Sequence, residues 1–479
     1  MIAAVFFGWQ VAEGSYGLPA LACTVTVAAV LVRLTRLPVD AILFGFLIIG
    51  YVVGNRGFAQ LMPVAGLPLL PAEIGLMVGV VWLVLVCAFA RRLPFRTDAL
   101  NWLVLGWLVL GTARVVFDVP RYGFLAVRDY AMIYYAVFFF LAQQMGRDPK
   151  VRRYLETCCL VAVILLVPAY GIFQLSPNFY FNYLTIRGVP LIHYKDDLAL
   201  TFFGVGSILL FHWAEGARRY WAWPLSATMA LCVMAGGNRA SMLGLVVASL
   251  LLLLARRWRF PALQGALGGA SLAVLIALAT LFNNTWAERK LDGITERIQS
   301  ITDVSGSGRY DSDESFNKGD NNRYRLVWWK NVVLETWDTN PVFGLGFGAD
   351  LARGFVQEYY PEVGEFSVRS PHNMFLTAFG RMGAVGLLAW LALCTALLAR
   401  TWAGLRRSED PVLWALWVSA WAILVSATLG VVLEGPMGAV VFWIILGLAN
   451  SHAAVTAPAP AEKRESPAAA ALPAGTPAA

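Results

Sequence analysis

Charge is scarce in this chain of 479 residues. Only 14% of the residues are charged, 58% are hydrophobic and the mean hydropathy is +0.63, whereas a typical soluble domain has roughly 25% charged residues. This balance excludes an ordinary cytosolic enzyme. Histidine, with 4 residues, and cysteine, with 6, are also rare. The cysteines lie in apolar runs without the spacing of a disulfide framework or a zinc site, so we expect them to fill the core.

Basic sequence arms are lacking as well. The net charge of +7 comes from 37 basic and 30 acidic residues, and much of the excess lies in short loops between apolar stretches. Such a distribution indicates orientation in a membrane and excludes a nucleic-acid partner. The N-terminus also lacks the basic segment, apolar run and cleavage site of a signal peptide, so we expect insertion to depend on the first spans.

Apolar stretches of about 15 to 25 residues are what the chain has in abundance, and this is the length that crosses a hydrocarbon core. They predict an all-α polytopic integral membrane protein with about 12–14 transmembrane helices. The stretches lie at 17–32, 39–54, 71–90, 98–115, 124–145, 154–174, 196–213, 221–236, 240–255, 264–282, 372–399, 411–430 and 437–450.

Arginine and lysine recur in every second loop, as they do on the cytoplasmic side of membrane proteins. The intervening loops, including the long polar segment 283–371, should then face the periplasm of a bacterial inner membrane. The residues that indicate this orientation are Arg33, Arg36, Arg91, Arg92, Arg96, Arg147, Lys150, Arg152, Arg153, Arg218, Arg219, Arg256, Arg257, Arg259, Arg400, Arg406 and Arg407.

Four segments follow from this pattern. Residues 1–282 are N-terminal transmembrane helices, 283–371 a periplasmic loop with an amphipathic helix, and 372–452 C-terminal transmembrane helices. Residues 453–479 are rich in proline and alanine, which predicts a disordered and dispensable tail.

The long loop has two contrasting parts. Residues 305–322 are polar and poor in aliphatic side chains, which predicts a mobile segment. In the next stretch Leu326, Trp329, Val333 and Trp337 have helical spacing, which predicts a helix on the membrane surface. The glycines of the following NPVFGLGFG indicate tight turns against a close neighbour; no GK[ST] follows, so a phosphate loop is disfavoured.

His372 is the histidine best placed for chemistry, because it stands where the long loop returns to the membrane. Helix capping by Ser370 or Asn373 would explain part of the same pattern. His193 lies in a short polar loop for which solvation and glycan contact are equally good explanations. The two remaining histidines lie at the predicted cytoplasmic ends of spans, where a structural role is the simpler interpretation.

Several arginines on the predicted outer face could bind an anion. Arg239 starts a span among small residues, where a guanidinium facing the bundle interior would be functional and one facing lipid would be an anchor. Arg187, Arg323 and Arg325 could add positive charge there, although solvated surface positions explain them equally well. Arg128 and Asp129 are adjacent in sequence, and we expect this pair to be a structural anchor or to have a role in an acceptor cavity.

Three motifs make the chain similar to the O-antigen ligase and polymerase superfamily. The sequence from His372 to Gly386 has the family's pattern His-Asn, nine residues, then Gly-x-x-Gly. GNRASMLGL resembles its arginine motif at a span start, and WKNVVLETWDTNPVFGLGFG resembles its Trp, Asn-Pro and glycine-rich signature. The resemblance covers about residues 235–390 and implies a helical membrane glycosyltransferase whose site is capped by a periplasmic loop.

The family resemblance implies a donor, an acceptor and residue roles. The donor would be a glycan on undecaprenyl pyrophosphate, and the acceptor a hydroxyl of a glycan or of the lipid A core. Arg239, with Arg187 or Arg323 as a second clamp, would stabilise the leaving pyrophosphate. His372 would be the general base, and direct displacement would invert the anomeric centre. The substrate-binding candidates are Arg187, Arg323, Arg325 and Asn373.

No cofactor is expected, and the resemblance implies transfer without a metal. Asp311 and Asp313 have the spacing of a metal site, but solvation of a polar loop explains them better. Membrane lipids complete the expected partners.

Two questions stay open at the level of sequence. The first is the acceptor, since O-antigen ligases, polymerases of O-antigen or exopolysaccharide, and enzymes that glycosylate proteins differ in little else. The second is the alternative of a flippase or transporter that moves lipid-linked glycan without making a bond. Such a protein would have related halves and charges in midplane cavities, whereas this chain concentrates its polar residues on one face.

Overall fold

The computed structural model is helical almost throughout its described part. It describes residues 36–62, 69–90, 96–236, 238–282, 313–359 and 369–452, with single helical positions at 33, 285, 288, 291, 292 and 299. For 313–321 the description is limited to the backbone. The predicted span at 17–32 and the predicted tail at 453–479 lie outside the described residues.

Eighteen described helices are numbered in chain order, and one two-residue hairpin accompanies them. The helices are α1 (Val39–Ile49), α2 (Asn55–Ala59), α3 (Pro71–Ala90), α4 (Ala99–Tyr122), α5 (Phe124–Asp129), α6 (Ala131–Tyr134), α7 (Val137–Met145), α8 (Pro149–Leu175), α9 (Pro177–Tyr183), α10 (Asp196–Ala217), α11 (Trp223–Ala235), α12 (Arg239–Leu254), α13 (Arg259–Phe282), α14 (Asp313–Thr339), α15 (Arg353–Tyr359), α16 (Met374–Arg407), α17 (Pro411–Ser426) and α18 (Pro436–His452). A π-helical turn, Gly50–Gly54, joins α1 to α2, a 3-10 turn, Tyr220–Ala222, precedes α11, and β1 (Thr185–Ile186) pairs antiparallel with β2 (Val189–Pro190).

The predicted membrane fold is confirmed. Within the described part of the chain, eight helical segments are long and apolar enough to cross a membrane, and α12, α17 and α18 are apolar but shorter. Each predicted span from 39–54 onward coincides with a helix. Helices are the expected solution because a hydrocarbon core offers no partner for an unpaired backbone group.

Arginine-containing connections gather at one end of the bundle. Arg96 donates to the carbonyl of Asn450 at 3.0 Å, and Arg257 pairs with Glu409 at 3.1 Å. These contacts join connections that are distant in sequence, as the alternation of basic loops predicts. We call this the arginine end. The opposite end, where the segment between α13 and α16 emerges, is called the loop end.

The loop end carries a small core of its own. Trp328 and Val332 of α14 pack on Leu351 and on Phe355 of α15, and the rings of Trp328 and Phe355 stack at 4.9 Å. The helix α14 begins at Asp313, so part of the segment predicted to be mobile is helical instead. A helix nucleated by this core can extend into polar sequence because each added residue gains a backbone hydrogen bond.

Three of the four residues of the apolar stripe predicted on α14 face away from this core, whereas Trp329 packs against it. Leu326, Val333 and Trp337 are exposed, whereas Trp328 and Val332 are fully buried. The helical spacing was correct, but two apolar faces are present and only one packs inside. An exposed apolar face at this position stays compatible with the predicted contact to a membrane surface.

Glycines allow the segment after α14 to dock into a kink of α16. Gly344 has φ +73° and Gly383 has φ +63°. The amide of Ala384 donates to the Pro341 carbonyl at 2.8 Å, and that of Leu345 to the Gly380 carbonyl at 2.8 Å. A Cβ on either Gly344 or Gly383 would overlap backbone atoms of the other segment. The first glycine of the Gly-x-x-Gly motif is therefore needed for close backbone packing.

A buried ion pair holds the same glycine loop. Arg381, 2% exposed, pairs with Asp129 at 2.8 Å and donates to the Gly346 carbonyl at 3.2 Å. Asp129 also accepts from the Gly348 amide at 3.1 Å, and Asp118 accepts from Phe347 N at 2.7 Å. These contacts give Asp129 a structural role and leave the glycine carbonyls and amides satisfied.

Replacing Gly383 with alanine should destabilise the protein by about 2 kcal/mol or more, because the residue would need a strained backbone and would displace the docked loop. Thermal unfolding in detergent should therefore shift to lower temperature. Gly171→Ala in α8 is the matched control, since a Cβ there meets open space. Equal unfolding temperatures for both variants would contradict the packing role.

Candidate active site

Four helices of the bundle are shorter than a full membrane span. The helices α11, α12, α17 and α18 contain 13, 16, 16 and 17 residues, or roughly 20 to 25 Å at 1.5 Å per residue. A hydrocarbon core is about 30 Å thick. Helices of this length leave at least one of their ends inside the membrane depth, and α12 begins and α17 ends at the loop end.

Buried hydroxyl groups join three helices at the loop end. Thr201 of α10 hydrogen-bonds Ser241 of α12 and Ser426 of α17, each at 3.0 Å. Ser241 also donates to the Asp197 carbonyl at 3.0 Å. The starts of α10 and α12 are thereby held side by side with the end of α17.

One face of α14 connects Arg239 to His372. Asn322 accepts from Arg239 at 2.8 Å, and Trp328, six residues further, meets the His372 ring edge to face at 5.7 Å. Arg325 is half-buried and lies one helical turn from each of these contact residues. The loop helix therefore brings two guanidinium groups and the imidazole to one place at the loop end.

Further charges surround these groups at the start of α10. Lys195 pairs with Asp197 at 3.1 Å. Burial lowers the pKa of Arg325, the charge of Arg239 lowers it further, and the charge of Asp197 raises it. The region thus combines Lys195, Arg239 and Arg325 with the Asp197 carboxylate.

His372 is held in an unusual state. Its φ is +56°, a left-handed conformation that non-glycine residues rarely adopt and that is often found at functional sites. Burial lowers the pKa of His372 to about 4, the charges of Lys195 and Arg325 act in the same direction, and Asp197 opposes them. The imidazole is therefore neutral at pH 7.

The residues beside His372 shape the start of α16. Asn373 accepts from the amides of Phe375 and Leu376, which is a helix-capping role. Ser370 donates to Glu434 at 2.6 Å. Trp329 donates to the Pro371 carbonyl at 2.8 Å, so α14 is attached directly to this turn.

The sequence candidates divide into two groups. The structure brings Arg239, Arg325 and His372 together, and it uses the Oδ1 atom of Asn373 in the helix cap. Arg187 is exposed at the tip of the β1–β2 hairpin, and Arg323 is exposed on α14. In the described part of the chain, neither of these two forms a hydrogen bond or an ion pair with the clustered residues.

Sequence reasoning missed three charged residues here. Lys195 and Asp197 lie in the short polar loop of His193, for which the sequence left solvation and glycan contact open. Glu434, which accepts from Ser370 and from Thr377 at 3.0 Å, belongs to none of the motifs considered. A signal did exist for Glu434, which is an isolated acid between two apolar stretches. Such a residue near a membrane span is a candidate for function.

The proposed metal-free character of the site stays a prediction. Asp311 lies outside the described residues, and of Asp313 only the backbone is described. Among the side chains that are described, no group of three or more His, Cys, Asp or Glu residues could hold a metal ion.

Comparison with known families identifies the segment that contains this cluster. Residues 224–391 match the family model described as O-Antigen ligase. The similarity covers only this segment of the chain, which we call the O-antigen ligase domain. The search of curated proteins finds no match.

The O-antigen ligase domain extends from α11 into α16. It contains Arg239, Arg325 and His372, whereas Lys195 and Asp197 precede it. The resemblance seen in the sequence motifs is therefore confirmed. The packing of α10 against α12 places charged residues from outside the domain beside those within it.

Proposed function

We propose that the chain is a membrane glycosyltransferase that transfers a glycan from undecaprenyl pyrophosphate to an acceptor hydroxyl at the periplasmic face of a bacterial inner membrane. The O-antigen ligase domain supports glycan transfer of the ligase or polymerase type in general. The specific donor and the side of the membrane are the parts that we add. The observation that supports a site for such a donor is the attachment of α14 to both Arg239 and the His372 turn, which brings cationic groups beside an imidazole.

In this proposal Arg239 and Arg325 bind the pyrophosphate. Guanidinium groups form paired hydrogen bonds with phosphate oxygens and keep their charge at every physiological pH. Because both side chains are partly buried, their effect on negative charge exceeds that of exposed arginines. The phosphates would bind beside the short helices while the prenyl chain stays in lipid.

His372 would be the general base. The acceptor oxygen attacks the anomeric carbon as its proton passes to the neutral imidazole, and a new C–O bond forms. The bond between the anomeric carbon and the phosphate oxygen breaks, and its electron pair stays on that oxygen. The arginines stabilise this growing charge. Attack from the face opposite the leaving group inverts the anomeric centre.

The acceptor decides the biological role. A lipid A core sugar would make the protein an O-antigen ligase, whereas a growing lipid-linked polymer would make it a polymerase of O-antigen or exopolysaccharide. A protein side chain would be a third acceptor. In the alternative proposal of a flippase, the same arginines would bind pyrophosphate during translocation, but a neutral histidine beside them would have no evident task.

Purified protein in detergent, incubated with undecaprenyl-pyrophosphate-linked glycan and each acceptor class, should transfer glycan without a transmembrane gradient. Transfer should persist after treatment with a metal chelator, since we propose metal-independent chemistry. Movement of intact donor across liposomes, without bond exchange in detergent, would favour the flippase. Loss of transfer on chelation, restored by added metal, would contradict the metal-free mechanism.

A further inference from the structure

The start of α10 is unusually well fixed. Lys195 donates its backbone amide to Oδ1 of Asn55 at 3.1 Å. Asn55 is fully buried, has φ +52° and directly follows the π-helical turn Gly50–Gly54. Left-handed asparagines and π-helical turns cost energy and recur at functional sites. The backbone of Lys195 is therefore positioned by buried structure, unlike that of a lysine in a solvated loop.

The side chains at this point face the cationic cluster. Lys195 Nζ lies 3.1 Å from Oδ2 of Asp197, and the Asp197 carbonyl accepts from Ser241, two residues after Arg239. The charges of both residues act on His372, and that of Asp197 also acts on Arg325. About a third of the Lys195 side chain is exposed, so it remains accessible to a ligand.

We propose that Lys195 is a third cation for the diphosphate group of the donor, and that Asp197 pairs with it until the donor binds. This inference rests on the proposed function, because it specifies the ligand of the same site. Lys195, Arg239 and Arg325 would repel one another without a counter-charge, and Asp197 offsets one of the three. The remaining charge of two matches a diphosphate diester, which carries one negative charge on each phosphate.

Asp197 has a second consequence in this arrangement. When the glycan leaves, the terminal phosphate gains negative charge, and three unopposed cations would then retain the product. The carboxylate competes for Lys195 and favours release. Removing it should tighten the binding of diphosphate, whereas removing the ammonium group should weaken it.

Binding of inorganic pyrophosphate to the full-length protein in detergent tests this inference. Lys195→Met should weaken binding about 10- to 100-fold, the usual effect of losing a hydrogen bond to a charged group. Lys195→Arg should retain it within a few-fold, and Asp197→Asn should tighten it. Lys330→Met is the matched control, because Lys330 is an exposed lysine of α14. Equal affinity in Lys195→Met and Lys330→Met would overturn the proposal.

Two further probes identify the ligand class. Inorganic phosphate should bind more weakly than pyrophosphate and respond less to Lys195→Met. Phosphatidylglycerol micelles should compete poorly; competition as strong as that of pyrophosphate, and equally dependent on Lys195, would indicate a general site for anionic lipid and overturn the inference.

The NMR signal of the His372 imidazole gives a readout that is independent of binding. Only four histidines contribute to this region of the NMR spectrum. Lys195→Met should raise the pKa of His372 and Asp197→Asn should lower it, since the two charges act on it in opposite directions. The charge of Arg325 is unchanged in both variants. If His372 titrated identically in Lys195→Met and in the unmodified protein, Lys195 would lie too far from His372 to act on it. Pyrophosphate binding that depends on Lys195 without any glycan transfer would support this inference and contradict the proposed function.

Discussion

Replacing His372 with alanine should reduce glycan transfer by about 100- to 10 000-fold, the contribution usual for general acid–base catalysis. Donor binding should change little, because the neutral imidazole adds no charge to the cation cluster. The measurement is single-turnover transfer together with pyrophosphate affinity. An effect on transfer alone separates a base from a residue that merely supports the fold.

His193→Ala is the control for this change. Its ring packs against Phe173 and Phe181 at the same end of the bundle. In the unmodified protein, kcat/KM should be retained above the His372 pKa of about 4 and lost as the pH falls through it. Wild-type transfer in His372→Ala would remove the base from the mechanism, and a large loss in His193→Ala would implicate its loop in glycan contact.

Replacing Arg325 with alanine should lower the rate of transfer by about 100- to 1000-fold, as expected when a preorganised charge opposite the leaving group is removed. Pyrophosphate affinity should fall as well, because the same guanidinium binds the ground state. Arg239→Ala should behave in the same way, since Asn322 connects Arg239 to the helix that carries Arg325.

Arg323→Ala makes a matched comparison, two residues away on the same helix. The side chain of Arg323 is exposed, and water screens an exposed charge. Its removal should lower the rate of transfer by less than about fivefold. If Arg323→Ala and Arg325→Ala were equally impaired, the face of α14 assigned to the site would be the wrong one.

The comparison of Arg323 with Arg325 illustrates how far sequence reasoning reaches. Both arginines stand in one short motif, and helical spacing alone places them about 200° apart around α14 without saying which faces inward. The choice depends on Trp328 and Val332, which pack on α15. The apolar stripe predicted from the sequence lies mainly on the exposed face of α14. The helix has two apolar faces, and the local sequence pattern does not show which of them packs inside.

Glu434 and Lys195 illustrate a different limit. Neither belongs to a motif of the O-antigen ligase domain, and each is separated from His372 by more than 60 residues of chain. Their positions follow from the packing of α10, α16 and α17 and from hydrogen bonds such as that of Ser370 with Glu434.

The sequence by itself determined that the chain is a bundle of membrane helices, where its apolar helices lie, and which histidine and arginine are the leading candidates for the site. It could do so because hydropathy and backbone hydrogen bonding act locally along the chain. Tertiary structure alone decided which arginines meet and that Lys195 and Asp197 join the site. Those outcomes depend on charges from distant segments meeting in a partly buried place, and no local pattern encodes such a meeting.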